Sequence, residues 1–287
     1  MEENILREGN KITYYNDKVN AKLMQISDIH YTDGFNTKKF NVIEEQLGIE
    51  NPDYLLVCGD IFDASEGINI EGLMKWLESV NNYVRIVFSL GNHDSMYRKD
   101  GKWVCGTKEY IESLKNLKNS IVLDNEIHKE NGINFIGFNN SFDYYEKYRE
   151  NSTTFYIELL DFFMNINKLD ENEFNLLMCH SPYSINMIKH FKENPYFKDI
   201  DLILSGHMHC GLVHPLMRPF ISEPLGIIAP NKDILPNFTR GITYIDGIPN
   251  IISEGVTKLA GMNFVDNMYP VDVKTIKLVR KTVKYKI

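Results

Sequence analysis

Five short apolar runs in this chain each stop at a polar residue of the kind that binds a metal, and that recurrence constrains the fold more than any other feature. Residues 21–27 (AKLMQIS) lead into Asp28-Ile29-His30, and 54–58 (YLLVC) into Gly59-Asp60. Residues 84–90 (VRIVFSL) lead into Gly91-Asn92-His93-Asp94, 176–179 into His180, and 202–205 into Gly206-His207-Met208-His209. Continuous apolar runs of this length are the mark of strands covered on both faces. Segments with helical spacing lie between them: 37–48 through Phe40, Ile43 and Leu47, and 68–80 through Ile70, Leu73, Trp76, Leu77 and Val80. The strand–helix alternation predicts an α/β fold with parallel strands. In open α/β sheets, sites form beyond the carboxyl ends of the strands, so one edge collects all of these side chains.

Further along, the pattern predicts helices over 108–117, 154–166 and 185–191. It predicts strands over 121–123, 133–138, 241–245, 249–253 and 271–279, with Asn131-Gly132 as a turn signal. No repeat, low-complexity tract or Gly/Ser linker divides the 287 residues, so one domain over 1–287 is expected, with 1–20 as an N-terminal extension and 256–287 as a C-terminal strand segment. Residues 1–20 are polar and show no apolar core of a signal peptide. No window approaches the ~20 apolar residues of a membrane span. A cytoplasmic location is the expectation for the chain as given, with membrane or envelope association if a native leader has been removed.

Lys plus Arg number 31 and Asp plus Glu 39, a net charge of −8. That balance lacks the basic footprint of a duplex-binding protein. It leaves room for a small phosphorylated substrate, because a bound metal outweighs the net charge locally. The four cysteines, Cys58, Cys105, Cys179 and Cys210, form no CxxC pair, which removes zinc-ribbon and thioredoxin-like readings.

Taken singly, each strand end has an ordinary explanation. Asp28 or His30 reads as a turn residue, Gly59-Asp60 as loop chemistry, Asn92 as a helix N-cap and His180 as a loop histidine. Gly206-His-Met-His is more specific, since two imidazoles at i and i+2 flank one sharp turn. As an ordered set the five blocks D-x-H, G-D, G-N-H-D, H and G-H-x-H resemble the calcineurin-like metallophosphoesterase superfamily, over about residues 21–255. SGHMHCG, a following Ile-Ala-Pro and IISEGVTKL further resemble a bacterial branch that is often envelope-associated. Met208 and Cys210 depart from the small residue and glycine usual in that branch and leave the ligand positions intact.

The resemblance implies a four-layer α/β/β/α sandwich of two facing mixed sheets, with the metal site at the strand C-terminal edge. It implies that Asp28, His30 and His209 hold one metal, that Asn92, His180 and His207 hold the other, and that Asp60 bridges them. His93 is then the catalytic histidine, and Asp94, or another carboxylate close in space, the residue that orients it. Two divalent ions ~3.5–4 Å apart clamp a phosphate and activate a bridging hydroxide for in-line attack. The expected activity is hydrolysis of a phosphodiester, phosphomonoester or pyrophosphate, with His93 as proton donor or charge stabiliser. The mixed N/O donor set fits Mn, Fe or Zn, and two aspartates leave the site net positive.

Three histidines, His128, His190 and His214, fall outside the blocks and read as surface or structural. Cys179 and Cys210 adjoin ligand histidines; redox sensitivity is one reading, and packing is preferred because strand alternation points neighbours apart. The run Lys274, Lys277, Arg280, Lys281, Lys284, Lys286 reads as a solvated strand face rather than a lipid contact. A catalytically silent scaffold is disfavoured by the intact set of blocks. A peripheral membrane hydrolase of a lipid-linked pyrophosphate would be favoured by an exposed apolar patch beside the site. Specificity is expected in the loops 96–107, 139–153 and 212–238.

Overall fold

In the computed structural model, which describes residues 4–281 apart from 66, 148–149, 167–168, 231 and 260–261, the first half runs β1 (Ile5–Glu8), β2 (Lys11–Asn16), β3 (Ala21–Ile26), α1 (Lys38–Glu50), β4 (Tyr54–Cys58), α2 (Glu71–Asn81), β5 (Arg85–Ser89), α3 (Asn92–Ser95), β6 (Met96–Lys99), β7 (Lys102–Cys105), α4 (Glu109–Lys115) and β8 (Ser120–Leu123). The second half runs β9 (Glu126–Glu130), β10 (Ile133–Phe138), α5 (Phe142–Glu146), α6 (Ser152–Asn165), β11 (Phe174–Cys179), α7 (Pro182–Asn186), β12 (Leu202–Ser205), β13 (Gly241–Ile245), β14 (Ile248–Ile252), α8 (Asn263–Asp266) and β15 (Lys274–Arg280).

The strands form two mixed sheets and a separate hairpin. One sheet has the order β1-β2-β15-β3-β4-β5-β8, the other β13-β14-β12-β11-β10-β9, and β6 pairs with β7. The strands that end in the five blocks are neighbours running parallel: β3, β4 and β5 in the first sheet, β11 and β12 in the second.

Strand alternation sorts the buried side chains into separate clusters. Leu23, Leu56, Cys58 and Val87 of the first sheet share one cluster with Phe135, Leu176, Met178 and Leu204 of the second. The alternate residues Met24, Ile26, Leu55, Val57 and Phe88 pack instead on Phe40 and Leu47 of α1 and on Leu73, Trp76 and Leu77 of α2. On the second sheet Ile136, Leu177 and Ile203 pack on Phe155, Leu159 and Phe163 of α6. The stripe on α2 recurs every three or four residues, which is why one face of that helix is buried.

The predicted helices at 37–48, 68–80, 108–117 and 154–166 correspond to α1, α2, α4 and α6 with ends shifted by a few residues. The helix predicted at 185–191 is displaced: α7 starts at Pro182, which suits the first turn of a helix because it has no N–H to leave unpaired. Residues 1–20, read as an extension, contain β1 and β2, and β2 pairs in parallel with β15. Asn131-Gly132 joins β9 to β10, whereas β8 belongs to the other sheet. Short polar edge strands such as β9 (EIHKE) lack the apolar run that marks an interior strand. Of the basic C-terminal run, Lys274 is buried against Asp272, Lys277 and Arg280 are exposed, and Lys284 and Lys286 lie outside the described residues. Among the described residues no helix is long and apolar enough to cross a membrane.

Candidate metal centre

The turns after these strands place their backbones in the left-handed region at Asp28 (φ 52°), His30 (48°), Asp60 (52°), His207 (69°) and His209 (46°). A residue with a Cβ is disfavoured there by roughly 1–3 kcal/mol, so each turn must be held by its neighbours. The Asp28 N–H donates to the Gly59 carbonyl and the His30 N–H to the Asp60 carbonyl, both at 3.0 Å. From the second sheet, the His207 N–H donates to both Asp28 carboxylate oxygens at 3.0 and 3.1 Å. The IISEGVTKL segment closes the rear: the Thr257 N–H donates to the Asp28 carbonyl at 2.9 Å and its hydroxyl to the Ile29 carbonyl at 2.8 Å. Glycine is required where these turns meet. A Cβ on Gly59 would lie 2.4 Å from His180 Nδ1, and one on Gly91 2.2 Å from Asp60 Oδ1.

The result brings six of the seven expected ligand positions, Asp28, His30, Asp60, His180, His207 and His209, into groups with metal-ligand spacing. Asp28, His30 and His209 offer ligand atoms within 4.8 Å of one another, and so do Asp60, His180 and His207. Asp60 links the two, with Oδ2 at 3.1 Å from His180 Nε2 and 3.5 Å from His30 Nε2. His93 forms a third such group with His30 and Asp60. The seventh position, Asn92, is buried with Oδ1 unpartnered. Ring orientation is set from behind. His180 places Nδ1 2.8 Å from the Cys58 carbonyl and His209 places Nδ1 2.8 Å from the Thr257 carbonyl, which turns each Nε2 inward.

Fit to cations is tested by what these atoms lack. His30 Nε2, Asp60 Oδ2, Asn92 Oδ1, His180 Nε2 and His207 Nε2 are all buried without a hydrogen-bond partner. Electrostatics follow the same geometry. Burial alone would raise the Asp60 carboxyl, but His180, His93 and His30 outweigh it and hold it well below the usual carboxylate range. Burial opposes charge on His180, yet Asp60 and then Asp28 prevail and push it up to about 10. His30 and His209 are lowered by burial, which leaves neutral imidazoles suited to coordination.

Asp94 departs from expectation. Its oxygens face backbone, not the His93 ring: Oδ2 accepts from the N–H groups of Asp60 and Gly91, both at 2.8 Å, and Oδ1 from those of Ile61 at 2.7 Å and Phe62 at 3.2 Å. The carboxylate facing His93 is Asp63, with Oδ2 3.9 Å from Nδ1. The sequence offered a signal for it, three residues past Asp60 in the same turn. Glu150 was also missed: it sits 3.5 Å from His207 Nε2, and His207 draws its carboxyl below the ordinary value against the effect of burial. Nothing local in the sequence marks it. Trp103, on the β6–β7 hairpin, sets its ring edge to the His93 ring at 5.2 Å.

The remaining histidines stand apart. His128 is near Glu130, His190 pairs with Glu193, and His214 caps Leu216. Burial raises the thiols of Cys179 and Cys210, the latter to about 11, which keeps them protonated and favours packing over redox chemistry.

A family model described as calcineurin-like phosphoesterase matches residues 21–211, roughly two thirds of the chain. An uncharacterized metallophosphoesterase of Helicobacter pylori strain J99 is 27% identical over 209 residues, covering 70% of this chain and 48% of that protein. The uncharacterized metallophosphoesterase YkoQ of Bacillus subtilis strain 168 is 27% identical over 246 residues, covering 82% of this chain and 75% of that one. The chain thus spans about half the length of the Helicobacter pylori relatives it matches. Among solved structures, Pseudomonas putida nuclease MPE aligns with a TM-score of 0.32 and 14% identity, over 65% of this chain and 61% of that one.

Proposed function

The chain belongs to the calcineurin-like phosphoesterase family, and from that premise we propose that it hydrolyses phosphoester bonds at a pair of divalent metal ions. The observation that carries this reading is the convergence of five buried, unpartnered donor atoms on His30, Asp60, Asn92, His180 and His207. Each such atom costs about 1–3 kcal/mol when left unpaired, so five together, three of them on residues held in left-handed backbone, favour a site made for cations.

Asp28, His30 and His209 would hold one ion and Asn92, His180 and His207 the other, with Asp60 shared. The donor set suits Mn, Fe or Zn. Such a pair, when bound, supplies charge neutralisation for the phosphoryl oxygens and makes water acidic. His93 keeps Nδ1 toward Asp63, leaving Nε2 to donate a proton to the leaving oxygen or to stabilise charge on the phosphoryl group. The shared cluster between the two sheets and the helices on their other faces support the four-layer α/β/β/α reading over one domain. The substrate in this reading is a small phosphorylated molecule.

The test is a screen of metal-reconstituted protein on aryl phosphate monoesters, bis-aryl diesters and nucleotides, with metal content measured on the same samples. Turnover that tracks metal content is expected. Full metal content without turnover on any substrate would return the silent-scaffold reading.

A further inference from the structure

A cavity of about 320 Å³ opens beside His93 on the side of His30 and His209. Away from the histidines, Thr32, Asp63 and Lys258, its wall is apolar: Met208, Leu212, Ile228, Ala229, Pro230 and Leu259. Asn92, His180 and His207 are absent from the lining, so the space extends from one half of the centre. Besides histidines, the one cation among the described lining residues is Lys258, whose ammonium donates to the carbonyls of Gly255 and Pro270. A second charged group on a substrate would meet a cation already committed to carbonyls; a hydrocarbon body would meet a matching wall. The volume is about twice the ~150 Å³ that admits a benzene ring.

The apolar surface continues outside. Ile228, a wall residue, is 43% exposed and bridges by backbone to Ile234, which is 80% exposed, with Leu235 beside it at 69%. On the other wall the Met262 N–H donates to the Leu259 carbonyl, and Met262 and Phe264 are 54% and 86% exposed. Exposed apolar residues tied by backbone contacts to the wall of a cavity mark a binding surface.

We propose, resting on the hydrolase reading above, that the reacting phosphate is esterified to an amphiphilic alcohol. Its hydrocarbon body occupies the cavity as the leaving group, and its chain runs out over Ile228, Ile234, Leu235, Met262 and Phe264. The oxygen of water becomes bonded to phosphorus, the electron pair of the broken P–O bond departs with the alcohol oxygen, and His93 at the cavity wall gives that oxygen its proton.

The test titrates metal-loaded protein with n-alkylphosphonates from methyl to octyl, kept monomeric, and measures phosphate release from the matching n-alkyl phosphates. Dissociation constants should fall about 3- to 4-fold per methylene, and kcat/KM should rise in step. Ile234→Glu combined with Leu235→Glu should lower the octyl-to-methyl affinity ratio. A flat series in protein that still hydrolyses aryl phosphates would overturn the inference and leave the hydrolase reading standing. Failure to bind any phosphonate, together with no turnover on aryl phosphates, would overturn both. A gain that stops at butyl in a protein that sediments as a dimer would assign the outer surface to a second copy and overturn the chain's path.

Discussion

The carboxylate that faces the His93 imidazole belongs to Asp63, whose Oδ2 lies 3.9 Å from Nδ1. Asp63 comes from the turn that also carries Asp60, and the reverse contact is made by Asp94, which follows His93 and binds the backbone amides of residues 60–62. The Ala64 N–H completes the exchange by donating to the His93 carbonyl at 2.8 Å. Each turn therefore bears on the other: one sets a carboxylate toward the imidazole, and the other ties down the backbone that carries Asp60.

That reciprocity predicts an outcome for Asp94→Asn. The substitution keeps shape but turns an NH₂ group toward two backbone N–H donors in a buried place. The cost is about 1–3 kcal/mol for each amide left unpaired. Melting temperature and metal content should both fall. A variant with unchanged melting and metal content but slower turnover would mean that Asp94 acts through His93 after all.

His93→Ala should leave metal content nearly unchanged and lower kcat by ~10²–10⁴-fold, the usual range for general acid–base assistance. If His93 protonates the leaving oxygen, the loss shrinks for nitrophenyl esters and grows for alkyl esters. Asp63→Asn should give a smaller loss with the same dependence on leaving group, because it acts through His93. A loss equal across all leaving groups would assign His93 to phosphoryl charge rather than proton transfer.

The strand ends were legible because a buried parallel strand leaves a continuous apolar run and the residue after it is polar by contrast. Asp28, His30, Asp60, Asn92, His180, His207 and His209 could be placed on one edge for that reason alone. Which carboxylate faces His93 was not legible because adjacency in sequence says nothing about direction: Asp94 follows His93 yet its carboxylate meets backbone, whereas Asp63 faces the ring. Glu150 was illegible, since it lies between α5 and α6, where the sequence carries no strand end or periodic signal to place it. The edge strands β1 and β9, and β2 beside β1, were missed because half-exposed strands carry polar residues that read as loop.

Glu150 also bears on metal affinity. It adds a third carboxylate beside the His207 end of the centre, where two aspartates were expected to supply all the negative charge. Asp60→Ala should cost the most metal, since its carboxylate serves both groups. Glu150→Gln should weaken only one of the two ions, by about 10–100-fold as for other partners of a ligating histidine. Calorimetric titration should then resolve one unchanged and one weakened site. Two unchanged sites would remove Glu150 from the centre.

Away from the proposed ligand residues, the IISEGVTKL segment depends on Asp272. Its Oδ2 accepts from the Glu254 N–H at 2.8 Å and from the Ser253 hydroxyl at 3.2 Å, and Lys274 lies 3.1 Å away. Burial would raise this carboxyl, but Lys274 and then Lys258 outweigh it and hold it below the ordinary value. A carboxyl depressed in the folded state stabilises the fold fully above its unfolded value of about 3.9, and that contribution is lost as pH falls toward the folded value. Asp272→Asn leaves both buried lysines without their anion, a loss of about 3–5 kcal/mol. The gap in melting temperature between wild type and variant should be widest near neutral pH and should close below about pH 4. A gap that stays constant from neutral to acid pH would mean that Asp272 holds the segment by shape and hydrogen bonding, with its charge contributing nothing.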